Sequence, residues 1–133
     1  MSANKMHFIV IDDSKLDCFI AEKIIQNTGR SESVKTFMTA SEALDYIKAA
    51  SPTVQKTMLL VDIQMPVMNG FEFLEAFENA VPSDVRNNFV INLLSSSINE
   101  SDMIRAKGYK SVANFLNKPL TKVSLDKILA ATA

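Results

Sequence analysis

Short apolar runs recur along the chain at 6–11, 34–38, 58–63, 89–94 and 112–116, separated by stretches with helical spacing. Within each run the apolar residues follow one another too closely for a strand with one wet face, which alternates in and out. The pattern predicts strands buried on both faces, as in a parallel sheet covered by helices. The intervening stretches carry helix starts. Ser14 with Asp17 makes a capping-box-like start, after which Leu16, Phe19, Ile20 and Ile24 share one face, and Gly29 supplies a left-handed stop. Thr39 with Glu42 repeats the start, with Ala43, Leu44 and Ile47 as the buried stripe. Asn69 with Glu72 opens a third helix packed through Phe73, Leu74 and Phe77, with Gly70 in its first turn counting against it. Asn99 with Asp102 opens the fourth. Thr121 opens the last, with Leu120 and Leu125 at the staple positions and Leu125, Ile128 and Leu129 facing inward.

Five strand-then-helix units define an α/β fold, and right-handed crossovers make a doubly wound, five-stranded parallel sheet its natural closure. At 133 residues, with no repeat and no Pro/Gly/Ser linker, the expectation is one domain over 1–133 without an output domain. Hydrophobic residues make up 47% and charged residues 22%, a globular balance. The formal charge of −1 argues against a general nucleic-acid or polybasic membrane binder, both of which need a cationic excess. Cys18 is the only cysteine and His7 the only histidine, which excludes an internal disulfide and a His/Cys metal cluster. No apolar run approaches the roughly 20 residues that span a bilayer, and the stretch after 1–5 is too short for a signal-peptide core. The expected compartment is the cytoplasm.

In doubly wound sheets the working residues sit at the carboxyl ends of the strands. Here the first strand ends in Asp12-Asp13, the third in Asp62, the fourth in Ser95-Ser96-Ser97 and the fifth in Lys118-Pro119. Three ionised carboxylates on one edge repel one another. A hard divalent cation relieves that repulsion, and Mg²⁺ favours one or two carboxylates with carbonyl and water oxygens. With Mg²⁺ and Lys118 the pocket is close to neutral and one Asp is available as a nucleophile. In outline this is a phosphoryl-transfer site.

At these residues the chain resembles the receiver domain of two-component response regulators. The resemblance is carried by Ile9-Val10-Ile11-Asp12-Asp13-Ser14, by Leu59-Leu60-Val61-Asp62 running on to Met65-Pro66-Val67-Met68-Asn69-Gly70, by Leu93-Leu94-Ser95-Ser96, and by Phe115-Leu116-Asn117-Lys118-Pro119-Leu120. It implies a flavodoxin-like strand order 2-1-3-4-5. It also implies that Asp62 accepts a phosphoryl group from a histidine kinase or a histidine-phosphotransfer protein. Asp13, Asp62 and the main-chain carbonyl of Gln64 ligate Mg²⁺ by the same analogy, Asp12 acting largely through water. Lys118 pairs with the carboxylate and then with the phosphoryl group. Ser95, with Ser96 as the alternative register, supplies the switching hydroxyl, and Phe115 the ring that turns inward with it. Gln64 and Ser97 stand where the family tunes acyl-phosphate hydrolysis, and the Lys118–Pro119 bond is expected to be cis. An output protein then reads the face made by the fourth helix, fifth strand and fifth helix. Departures from the family pattern are the serine in place of threonine, a long polar stretch at 79–88, Asn114 before the aromatic, and a connection at 108–112 one residue longer than usual.

Other functions fit less well. A haloacid-dehalogenase-type phosphatase needs an acid two residues after its nucleophile, and the amide of Gln64 cannot serve as one. A flavodoxin needs a hydroxyl-rich phosphate loop where Asp12-Asp13 stand. A receiver-like interaction module that works without phosphorylation is the alternative reading. His7 reads as structural, Phe71, Phe73 and Phe77 as packing, and Met65 and Met68 equally as docking surface or loop packing.

Overall fold

In the computed structural model, which describes residues 5–50, 56–97 and 99–132, five parallel strands lie in the order β2-β1-β3-β4-β5. The described elements are β1 (Met6–Ile11), α1 (Lys15–Asn27), β2 (Ser31–Phe37), α2 (Ala40–Ala50), β3 (Thr57–Asp62), α3 (Gly70–Ala80), a single turn α4 (Ser83–Arg86), β4 (Phe89–Ser95), α5 (Glu100–Lys107), β5 (Val112–Asn117) and α6 (Lys122–Thr132). Side chains alternate across the sheet and build two cores. Ile9, Ile11, Leu59, Val61, Ile91 and Leu93 pack against α2 and α3 on one face. Phe8, Val10, Met58, Leu60 and Leu94 pack against α1 and α6 on the other.

β1, β3 and β4 are buried on both faces, as the apolar runs predict. β2 and β5 are not. They are the sheet's two edges and alternate between half-buried and exposed, so the expectation of double burial fails for these two runs. β2 also starts earlier than the apolar run, at Ser31.

The helix starts hold. Asn69 and Glu72 form a complete capping box, Glu72 N–H donating to Asn69 Oδ1 and Asn69 N–H to Glu72 Oε1, each at 2.9 Å. Glu42 N–H donates to Thr39 Oγ1, Asp102 N–H to Asn99 Oδ1, and Ser124 N–H to Thr121 Oγ1. Gly29 has φ +71°, the left-handed stop. The stripe read on α1 is a correction. Leu16, Phe19 and Ile20 are exposed, and the helix sits on the sheet through Cys18, Ala21 and Ile25, with Ile24 alone of the expected stripe packing beside them. Periodicity gives a helix its faces without saying which turns inward; the small Cys18 and Ala21 let α1 approach the sheet closely.

The polar stretch at 79–88 has a structural use. It forms α4, and Arg86 folds back so that Nη1 donates to the carbonyls of Glu78 at 2.6 Å and Val81 at 3.0 Å. A cation thus satisfies acceptors at the C-terminal end of α3. An added residue is also accommodated at the far edge. Ile91 pairs with Val112 but Asn92 pairs with Asn114, leaving Ala113 unpaired as a bulge. Asn114 Nδ2 donates to Asn92 Oδ1 at 2.8 Å, and the fully buried Asn92 donates to Leu59 O at 3.0 Å.

Gly70 opens α3 against the end of β3, its N–H donating to Ile63 O at 2.9 Å. A Cβ there would lie 2.8 Å from Asp62 O and 2.9 Å from Ile63 Cα, both backbone atoms that cannot swing away. Gly70→Ala is therefore expected to lower stability by about 1–3 kcal/mol through forced backbone movement. Denaturant unfolding reads this directly, and an unchanged midpoint would show that the junction yields freely.

Candidate functional site

The carboxyl edge of the sheet brings together the side chains singled out in the sequence. Asp12 follows β1 and is 2% exposed, while Asp62 ends β3 and is 3% exposed. Asp13 stands beside them facing solvent, and one carboxylate oxygen from each of the three lies within 4.8 Å of the others. Lys118, just past β5, reaches in from the other side. Its Nζ lies 2.6 Å from Asp12 Oδ2 and 3.5 Å from Asp62 Oδ2. The Lys118–Pro119 peptide is cis, as expected, and Lys118 N–H donates to Ser95 O at 2.8 Å, fastening the lysine to the end of β4.

A third carboxylate, from outside the cluster, also reaches the ammonium. Asp17 Oδ2 accepts from Lys118 Nζ at 3.0 Å. In the sequence Asp17 stands out only as part of a helix start. The signal available was a surplus acid one turn after Asp12-Asp13, on the helix that leaves them.

Burial pushes the Asp62 carboxyl up to about 6, with the Asp12 charge adding to it; Lys118 and the Gln64 N–H, which donates to Asp62 Oδ1 at 3.2 Å, oppose the rise. For Lys118 burial disfavours the charge, but hydrogen bonds to Asp12 and Asp17 and the charges of Asp12 and Asp62 outweigh it, leaving its pKa above the ordinary lysine value. Like-charged acids here are thus held by one ammonium and still under-neutralised. An oxygen-rich set of this kind, with Asp13 solvent-facing and Asp62 strained by burial, fits a hard divalent cation.

The hydroxyls sit nearby. Ser95 is fully buried at the end of β4, its Oγ donating to Ser97 O at 3.1 Å and accepting from Ser97 N–H at 3.2 Å. Ser96 is exposed, and its Oγ donates to Gln64 Oε1 at 3.4 Å, so the two loops that carry residues 64 and 96 touch across the site. Between β3 and α3, Val67 is fully exposed with φ +70°, a costly backbone for a β-branched residue. Met65 is buried in the core and Met68 packs on it, which favours loop packing over docking for both. His7 is structural, its Nδ1 2.6 Å from Ser33 Oγ at the opposite end of the sheet. Phe115 is half-buried and lines a groove of about 340 Å³ with Met103, Ala106, Tyr109 and Asn114, between α5 and β5. A second cavity of about 300 Å³ opens beside Lys118, lined by Asp12, Asp17, Ile20, Ser96 and Pro119 among others.

Residues 8–130 match the response regulator receiver domain family, and the chain belongs to that family. Among solved structures it is similar to a response regulator receiver protein of Dyadobacter fermentans, with 34% identity, 95% of this chain and 96% of that one covered, and a TM-score of 0.85. A two-component response regulator of Cytophaga hutchinsonii gives 25% identity, 97% coverage of both chains and a TM-score of 0.86. The chemotaxis protein CheY4 of Vibrio cholerae, at 23% identity and a TM-score of 0.79 over 97% of this chain and 99% of that one, shares the fold. A curated relative is protein-glutamate methylesterase/protein-glutamine glutaminase 1 of Cupriavidus metallidurans, 30% identical over 99% of this chain and 37% of its own length. Against the first two such relatives the chain spans 23% and 37% of their length. This is a receiver domain of two-component signalling, a class that binds Mg²⁺ at an acidic pocket and is phosphorylated by histidine kinases or phosphotransfer proteins. Among the described residues no helix is long and apolar enough to cross a membrane.

The raised Asp62 value has a signed consequence for metal-free protein. A carboxyl that titrates at about 6 when folded, against 3.8 ordinarily, is a folding cost above pH 6 that disappears below about pH 4. In chelator, Asp62→Asn is expected to be more stable than wild type at pH 7.5 by on the order of 1–3 kcal/mol, with the gap closing as pH falls through 6 toward 4. Urea midpoints at the two ends of that range measure it; equal midpoints at pH 7.5 contradict it.

Proposed function

We propose that this chain is a phosphorylation-controlled receiver in which Asp62 accepts the phosphoryl group and the phospho-form changes partner binding. The supporting observation is the acceptor's setting: a buried strand-end Asp62, two further carboxylates clustered with it, and the Lys118 ammonium 3.5 Å from its oxygen. An Asp62 oxygen attacks the phosphorus of a donor phosphohistidine. The new P–O bond makes an acyl phosphate, and the P–N electron pair leaves with the imidazole. Asp13, Asp62 and the Gln64 carbonyl would hold Mg²⁺, with Asp12 reaching it through water. When bound, the ion supplies positive charge against the phosphoryl oxygens. The chain's own catalysis is confined to this transfer and to hydrolysis of the acyl phosphate, which Gln64 and Ser97 would tune.

Phosphorylation puts about −1.5 to −2 of charge where −1 stood. Lys118 shifts onto the new oxygens, and Ser95 leaves its turn with Ser97 to donate to them. Phe115 then turns from its half-buried position into the groove beside α5. The face of α5, β5 and α6 is repacked, and exposed Met103, Ile104 and Val123 lie on its helices for an output protein to read.

Incubation with a small acyl-phosphate donor is expected to add one phosphoryl group by intact mass, dependent on Mg²⁺ and absent in Asp62→Ala. No adduct from that donor or from a phosphorylated kinase would move the reading to an interaction module. Lys118→Ala is expected to take the phosphoryl group yet lose the change in partner affinity. A full change in affinity in that variant removes Lys118 from the switch.

A further inference from the structure

At the start of α1 the spacing of Ser14 and Asp17 is that of a capping box, but only half of the box forms. Ser14 Oγ accepts from Asp17 N–H at 3.1 Å. The Ser14 N–H, which the acid of a complete box would bind, donates instead to Asp12 Oδ1 at 2.9 Å. In α3 both halves close with the longer Glu72; Asp17 is one methylene shorter, and the Ser14 N–H is already taken by Asp12. The Asp17 carboxylate, left without that partner, takes Lys118 Nζ at 3.0 Å, a residue 101 positions away. The ammonium therefore sits nearer Asp12, at 2.6 Å, and Asp17 than Asp62, at 3.5 Å.

We propose that Asp17 is a positioning residue for the acceptor: it draws the Lys118 ammonium back from Asp62 and leaves that carboxylate open to a divalent cation. This rests on the reading of Asp62 as the acceptor. An ammonium has three N–H donors, and two are spent on Asp12 and Asp17. Without the Asp17 charge the ammonium falls back on its remaining anions, Asp12 and Asp62, and competes with the cation for Asp62. Asp17 is 42% exposed at its side chain, so solvent screens the pair and its influence is moderate.

The test is a calorimetric Mg²⁺ titration of wild type, Asp17→Asn, Lys118→Gln and the double variant, each confirmed folded by thermal unfolding. Lys118→Met replaces Lys118→Gln should the latter not fold. Asp17→Asn is expected to weaken Mg²⁺ binding by about two- to fivefold. In the Lys118→Gln background the same change is expected to alter it by less than about 1.5-fold, because no ammonium is left to release. Unchanged or tighter binding in Asp17→Asn overturns the proposal. So does an equal loss in both backgrounds, which would be Asp17's own charge acting on the ion, and so does a wild type that binds no Mg²⁺. Failure of the acceptor reading shows separately, as absence of a phosphoryl adduct on wild type, and leaves the titration cycle to decide the role of Asp17.

Discussion

Three carboxylates share one ammonium at the carboxyl edge of this sheet, and the arrangement around them follows from that scarcity of positive charge. Asp12, Asp17 and Asp62 lie 2.6, 3.0 and 3.5 Å from Lys118 Nζ, with Asp13 facing water beside them. Acids buried together are tolerable only with a counter-ion, and a single lysine leaves the cluster short of neutrality. The deficit makes the edge receptive to a hard cation. It also places Lys118 under competing attractions, so an added negative group on any one acid redistributes it.

The fold exists at this edge to hold the acids still. β1 and β3 are inner strands, buried on both faces; Asp12 directly follows the first and Asp62 ends the second. Gly70 lets α3 start against the Asp62 carbonyl, and Cys18 Sγ donates to Asp12 O at 3.3 Å from beneath. Cys18 itself is buried and its thiol is pushed up to about 11 by that burial, so it serves as packing. Rigid central strands thus meet mobile-length side chains, Lys118 above all, and the response to a change of charge falls to the latter.

Much of this was legible in the chain. Continuous apolar runs marked β1, β3 and β4, the N-cap pairs marked the helices, and the acids at strand ends marked the site. What escaped did so for definable reasons. Of the apolar positions expected to face inward on α1 only Ile24 does, because the close approach of Cys18 and Ala21 to the sheet turns Leu16, Phe19 and Ile20 outward. β2 and β5 carried enough apolar residues to read as buried, but burial depends on strand order, which a local run does not encode. Asp17 matched a local motif well enough to hide a partner 101 residues away. Asn92 lay inside an apolar run and its amide found partners on both neighbouring strands, a pairing visible only once β3, β4 and β5 are side by side.

The Asn92–Asn114 pair also limits how this protein can move. Asn92 is fully buried, and sliding β5 along β4 by one residue would strip its oxygen of the 2.8 Å donor from Asn114, at a cost in hydrogen bonding. The bulge at Ala113 exists only in the present alignment, so it fixes the same offset from the backbone side. The outer strand is pinned like a keyed shaft. On the proposed function, a rearrangement passing from the acidic edge to the α5, β5 and α6 face would run through side-chain rotation and loop movement, with the rail they are mounted on left in place.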